Sequence, residues 1–246
     1  MARRHLACFT ARPERVDRLV RRWLARSARG VAALEFALLA PMLMMVSAGL
    51  YDLTTAFIAW KRVSLTAQAI AEIATIMAAT AAGTNQLTLS QATTAASAIY
   101  AYLPATQSAS APAFGVVMSS IVMQPTVSGC TTACTYTANV AWSGTFQGSG
   151  TTRQCGTLSF VADTAAPSPA TLPTDAQGSS PLLVVDVNYT FYPLFYKFFT
   201  GPIPMKQSAY FSPRIGLADS WVQYEPGGAS DTTTICPNYP VATGSS

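Results

Sequence analysis

Histidine is all but missing from this chain of 246 residues: there is one, His5. Charge is scarce too, at 11% of residues. The first shortage removes the commonest general base from everything beyond the first few residues. With it go any histidine-based nucleophile triad and any His-Glu-x-x-His metal site. No Gly-x-Ser-x-Gly elbow and no phosphate-cradling glycine loop is present. Beyond the apolar first third, Asp163, Asp175, Asp186, Asp219, Glu225 and Asp231 are scattered without a paired spacing. The expectation is a protein that is not an enzyme and needs no cofactor and no metal. Asp186 lies within a strand-like run and is expected on a solvated strand face, with Lys206 or Arg214 as its nearest prospects for a partner.

The charge that is present is unevenly placed. Residues 1–30 hold nine arginines (Arg3, Arg4, Arg12, Arg15, Arg18, Arg21, Arg22, Arg26 and Arg29) against Glu14 and Asp17, a net +7. The remainder holds six basic and nine acidic side chains, a net −3. The basic balance therefore belongs to a leader-like segment, where it acts as a topology signal that keeps the N-terminus in the cytoplasm. A nucleic-acid surface is not expected, since no binding motif accompanies the arginines. Val16, Leu19, Val20, Trp23 and Leu24 fall at helical spacing, which suits a basic amphipathic helix on an anionic inner leaflet.

No charged residue lies between Phe36 and Tyr51, and the apolar run resumes at Ala56-Phe57-Ile58-Ala59-Trp60. About 20 mostly apolar residues suffice for a helix to cross the hydrocarbon core, and residues 33–56 are assigned to that span. Glu35 stands at its start, where a carboxylate near the membrane interior costs a few kcal/mol. Two other signals are weak here. Val46-Ser47-Ala48 has the small-x-small look of a signal-peptidase site, but it follows an unusually long basic region and a glutamate. Arg21-Arg22 echoes a twin-arginine signal in a segment where arginine is common anyway.

The junction reads Arg29-Gly30-Val31-Ala32-Ala33-Leu34-Glu35-Phe36-Ala37-Leu38-Leu39-Ala40-Pro41, followed by Gly49-Leu50-Tyr51-Asp52 and Ala56-Phe57. Over about 35 residues it resembles the type IV prepilin-like signal of the TadE/TadG-like pseudopilins of tight-adherence (Flp) pilus systems. The resemblance implies cleavage between Gly30 and Val31 by a prepilin peptidase, with Glu35 as the fifth residue of the mature chain. It implies an assembly role in which Glu35 and the new α-amino group guide packing with other pilins or pseudopilins and with the pilus assembly platform. It places the protein in the inner membrane as a single-pass subunit whose C-terminal domain lies outside the cytoplasm and serves surface adhesion. The alternative from the residues alone is an uncleaved, single-pass, membrane-anchored binding domain.

Beyond Lys61-Arg62, a stripe of Leu65, Ala69, Ile73 and Ile76, broadened by Val63, Ile70 and Met77, carries the helix on as a stalk to residue 82. Pro41 is a possible kink, and a break near Lys61 is the alternative to one long helix. Gly83 suits a C-cap, and a second helix is expected from Ser90 to Leu103, stopped by Pro104. Residues 83–246 then read as a small antiparallel β-sheet domain, so the fold class is α+β. Strands are expected at Val116–Met118 and Ile121–Met123, Thr135–Trp142, Leu158–Val161, Leu182–Phe191 (central) and Gln207–Ile215, with a turn at Ser128-Gly129. Flexible loops are expected at 144–153 and 164–181. Asn188-Tyr189-Thr190 matches a glycosylation acceptor. Tyr192, Phe195, Tyr196, Phe198 and Phe199 form an aromatic cluster that suits core packing or a contact patch.

Cys8 lies in the leader. Cys130, Cys134, Cys155 and Cys236 lie beyond the membrane segment, an even number suited to disulfides in an oxidising compartment. Four cysteines allow three connectivities. Zinc is disfavoured because no histidine accompanies Cys-x3-Cys. A disulfide at Cys236 is expected to tie the C-terminal tail back to the sheet.

Overall fold

A computed structural model describes residues 13–80, 85–103, 114–194, 201–213, 221–228 and 231–239, with side chains from residue 33 onward apart from Thr80. The chain divides into two units, Met1–Tyr51 and Asp52–Ser246. Helix α1 runs unbroken from Pro13 to Thr80, through Pro41 and through Lys61. Alanine, leucine and arginine are its commonest residues, and these are strong helix formers. The basic stretch and the apolar stretch are thus one element rather than two.

From Phe36 to Tyr51 α1 is apolar on every face. Met42, Leu43, Met44, Met45 and Val46 are consecutive, so together they turn through a full circle, and all are exposed. Ser47 turns its hydroxyl back onto the Met44 carbonyl at 3.0 Å, which leaves no unpaired hydroxyl among them.

In the second unit the same helix becomes one-sided. Val63, Thr66, Ala67, Ile70, Ala71, Ala74, Thr75 and Ala78 are buried, while Leu65 and Ile76 are exposed. The buried face is shifted from the expected stripe: Val63 and Ile70 lie on it and Ile73 and Met77 pack at its edge, whereas Leu65 and Ile76 lie off it. Small alanines fill most of that face, and the two larger side chains are left on the outer side of the helix.

After residue 84 come β1 (Gln86–Thr88), α2 (Leu89–Ala96) and α3 (Ile99–Tyr102). Thr88 and Gln91 form a reciprocal cap: the Gln91 backbone N–H donates to Thr88 Oγ1 at 3.2 Å, and the Thr88 N–H donates to Gln91 Oε1 at 3.0 Å. The single helix expected from Ser90 is thus two short ones parted at Ser97-Ala98. Gly83 and Pro104 lie outside the described residues.

The strands are β2 (Phe114–Pro125), β3 (Tyr136–Gly148), β4 (Thr157–Val161), β5 (Thr171–Pro173), β6 (Leu182–Phe191), β7 (Ile203–Phe211), β8 (Gln223–Glu225) and β9 (Thr234–Ile235). The main sheet has the order β5-β4-β3-β2-β6-β7, with β9 also on β3. β2 and β6 pair antiparallel from Phe114↔Tyr189 to Ile121↔Leu182. One face packs against α1 through Val116, Met118, Trp142, Leu183, Val185, Val187 and Tyr189. The other face buries Ile121, Val140, Leu158, Leu172, Leu182 and Val184.

The α+β class holds, but the sheet is mixed rather than purely antiparallel: β4–β5 and β1–β8 pair parallel. Each of these pairs joins segments separated by a connection long enough to bring the chain back in the same direction, which a tight hairpin cannot do. Two segments expected as loops are partly ordered into the sheet. β3 continues through 144–148, and β5 with a 3-10 turn at Thr174–Ala176 lies inside 164–181. Gly144 fits in β3 because the Thr233 side chain lies where a Cβ would project.

Candidate functional site

Gly30 and Val31 lie on α1. Glu35 is exposed between Leu34 and Phe36, themselves 64% and 68% exposed. From Ala33 to Ala79 the helix is long and apolar enough to cross a membrane, and none of its most apolar window is buried by the protein. An all-round apolar helix without protein cover is stable only where lipid or other helices surround it.

Farther along α1, within the second unit, Asp52 holds a loop. Its Oδ1 accepts the Leu194 backbone N–H at 2.9 Å. Leu194 follows β6 through Tyr192 and Pro193, and its side chain is 69% exposed. On the helix beside it Leu53, Phe57, Ile58 and Trp60 are also exposed. Phe57 and Trp60 stack at 6.3 Å, and the Lys61 ammonium sits 5.7 Å from the Phe57 ring centre. Of the aromatic cluster, Phe195, Tyr196, Phe198 and Phe199 lie outside the described residues, as does Arg214.

Asp186 does not take Lys206 as its ion-pair partner, and Arg214 lies outside the described residues. Asp186 takes Arg153, whose side chain is fully buried. Nε donates to Oδ2 at 3.1 Å and Nη2 to Oδ1 at 3.0 Å, while Nη1 donates to the Thr171 carbonyl at 3.0 Å. The Arg153 backbone N–H donates to Ser143 Oγ at 2.9 Å, and Ser143 shares a hydrogen bond with Ser119. Ser208, opposite Asp186 on β7, donates to the same carboxylate. Nearby, burial pushes the Tyr210 hydroxyl above its usual pKa. The cleft over this network, lined by Thr151, Ser168, Asp186, Asn188 and Lys206, holds about 40 Å³. That is room for little more than a water, so the arrangement staples β3, β5, β6 and β7 rather than receiving a substrate. Asn188 of the glycosylation triplet lines this cleft from within β6.

The cysteines pair as Cys130–Cys134 and Cys155–Cys236. The first closes the β2–β3 hairpin tip. The second ties the tail to the sheet, as expected for Cys236, and the Cys236 N–H also donates to the Ala141 carbonyl at 2.9 Å. Around it the tail is fastened by aromatic packing. Trp142 lies 5.0 Å from Tyr224 between ring centres, and its Nε1–H donates to the Val222 carbonyl at 2.7 Å. Tyr224 in turn donates to Asp231 at 2.7 Å. Burial, reinforced by Asp231, pushes the Tyr224 hydroxyl well above its usual pKa. Burial opposes the charge on Asp231. Hydrogen bonds from Thr233, Tyr224 and the Gly227 N–H outweigh it and hold that carboxyl below the ordinary range.

Among the described residues no group of three His, Cys, Asp or Glu side chains is placed to hold a metal. Sequence reasoning missed Arg153, placing it at the end of an exposed loop. The available signal was Asp186, an acid in an otherwise apolar strand that requires a partner. Comparison with protein-family models, curated proteins and solved structures finds no match.

Proposed function

We propose that this protein is a TadE-like pseudopilin, a minor subunit of a tight-adherence type pilus. Its arginine-rich leader holds the N-terminus in the cytoplasm, and a prepilin peptidase cuts between Gly30 and Val31. The observation that carries this reading is the junction itself: a glycine after a basic segment, a glutamate five residues on, and then an uncovered, all-round apolar helix. Glu35 and the freed α-amine are opposite charges whose mutual neutralisation among neighbouring pilin helices specifies register more than it adds stability. The domain beyond Asp52 makes the extracytoplasmic contacts with partner subunits. The missing histidines favour a structural role over catalysis.

The test is the N-terminal sequence of the protein recovered from its native membrane, with and without the peptidase. The expected mature end is Val31, dependent on the peptidase, and Gly30→Leu should leave Met1 in place. An intact Met1 in the wild-type chain with active peptidase present would mean an anchored, unprocessed domain, and the pilin reading would fail.

A further inference from the structure

We propose that one end of the sheet domain is seated on the bilayer, with Leu194 dipping into the lipid interface beside α1. The inference rests on the membrane-anchor reading of α1 and concerns only the Asp52–Ser246 unit.

The contact between Asp52 and Leu194 fixes where the domain meets the helix. A hydrocarbon core of about 30 Å corresponds to about 20 helical residues at about 1.5 Å each. A span beginning at Ala33 therefore reaches the outer edge of that core near Asp52. Beyond Asp52 the helix does not turn polar at once. Leu53, Phe57, Ile58 and Trp60 remain exposed, and the first charges are Lys61 and Arg62. Asp52 to Lys61 is about 14 Å along the axis, which takes the helix through the headgroup layer. Exposed apolar side chains thus continue through Leu53, Phe57, Ile58 and Trp60, with Phe57 and Trp60 as an aromatic pair of the kind membrane interfaces select, and Lys61 closes the zone with its ammonium over the Phe57 ring.

The loop 192–194 is held at the start of that zone. Its backbone N–H at Leu194 is occupied by Asp52, so the loop presents a leucine without presenting an unpaired amide. A leucine 69% exposed at this level has lipid as its matching surroundings. The opposite end of the sheet has the opposite character. β2 runs antiparallel to β6, so the hairpin tip at 126–135 lies a full strand away from Phe191, about 40 Å along twelve residues. That tip is mostly threonine, serine and glycine around Cys130–Cys134. The sheet thus has a lipid-seated end and a distal end.

The test uses the full chain with Cys8→Ser, reconstituted in phosphatidylcholine–phosphatidylglycerol vesicles. An environment-sensitive fluorophore is attached without reductant to Leu194→Cys, Leu43→Cys or Val127→Cys, and lipid-borne nitroxides at shallow and deep positions serve as quenchers. The expected result has three parts. Leu43→Cys is quenched most by the deep probe. Leu194→Cys is quenched at least threefold more by the shallow probe than Val127→Cys is. Val127→Cys is quenched by neither. A quenched Leu43→Cys with Leu194→Cys as unquenched as Val127→Cys would overturn the seating and leave the anchor standing. No quenching at Leu43→Cys would overturn both.

Discussion

Arg153 and Asp186 show what one buried charge demands of its neighbours. The guanidinium has no access to water, and its fork meets the carboxylate with two parallel hydrogen bonds. Removing one partner strands the other. Arg153→Ala should therefore lower stability by about 3–5 kcal/mol, whereas Arg153→Met with Asp186→Leu should recover most of that loss. Urea unfolding of the protein in detergent measures both. A single variant costing under about 1 kcal/mol would show that water enters and solvates the remaining charge. Little of this pair was legible in advance. Arg153 sits in a run of glycine, threonine and serine with no period to place it. Asp186 shows only that a partner is needed, since an arginine 33 residues away along the chain carries no local mark.

Elements were more legible where one pattern dominated. β6 spans Leu182–Phe191 as its apolar run indicates, because an inner strand covered on both faces needs no alternation. β3 was legible only to Trp142. Gly144 to Gly148 read as loop, yet they continue the strand, since Ser143 pairs with Ser119 just before them and Gly144 makes room for Thr233. On α1 the stripe was legible in part: Val63 and Ile70 are buried as expected, whereas Leu65 and Ile76 are exposed and Ala67, Ala71, Ala74 and Ala78 are buried in their stead. The two disulfides differ at this scale as well. Cys130–Cys134 closes a separation of 4 residues and Cys155–Cys236 one of 81. Chain entropy then assigns about 2 kcal/mol to the first and about 4.5 kcal/mol to the second. Replacing Cys155 and Cys236 by alanine should lower the thermal midpoint well beyond the change from replacing Cys130 and Cys134. Equal shifts would mean that the pairs do not act mainly through the unfolded chain.

For the whole molecule, the α+β class and the order of helix before sheet could be read from the switch of hydrophobic period near residue 114. The two parallel pairings could not, because three-residue strands such as β1 and β8 have too few side chains to show a period. The partition of charge suggests an experiment at this level. Glu35 is one carboxylate at the margin of a long apolar surface, so on the proposed pseudopilin reading Glu35→Ala should leave membrane insertion intact and lower recovery of the protein in sheared pili at least tenfold. Alkaline extraction of membranes checks the first and immunoblotting of the sheared fraction the second. Normal recovery in pili would remove Glu35 from assembly.

The covalent ring closed by Cys155 and Cys236 encloses β4 to β9. Under tension between α1 and the last residues of the chain, load passes from β3 across that sulfur bridge and bypasses everything between. Some 80 residues, about 280 Å of extended chain, are withheld from stretching. The ring acts as a mechanical shunt: a chain pulled at both ends yields no slack from β6 or β7 until the bridge is reduced.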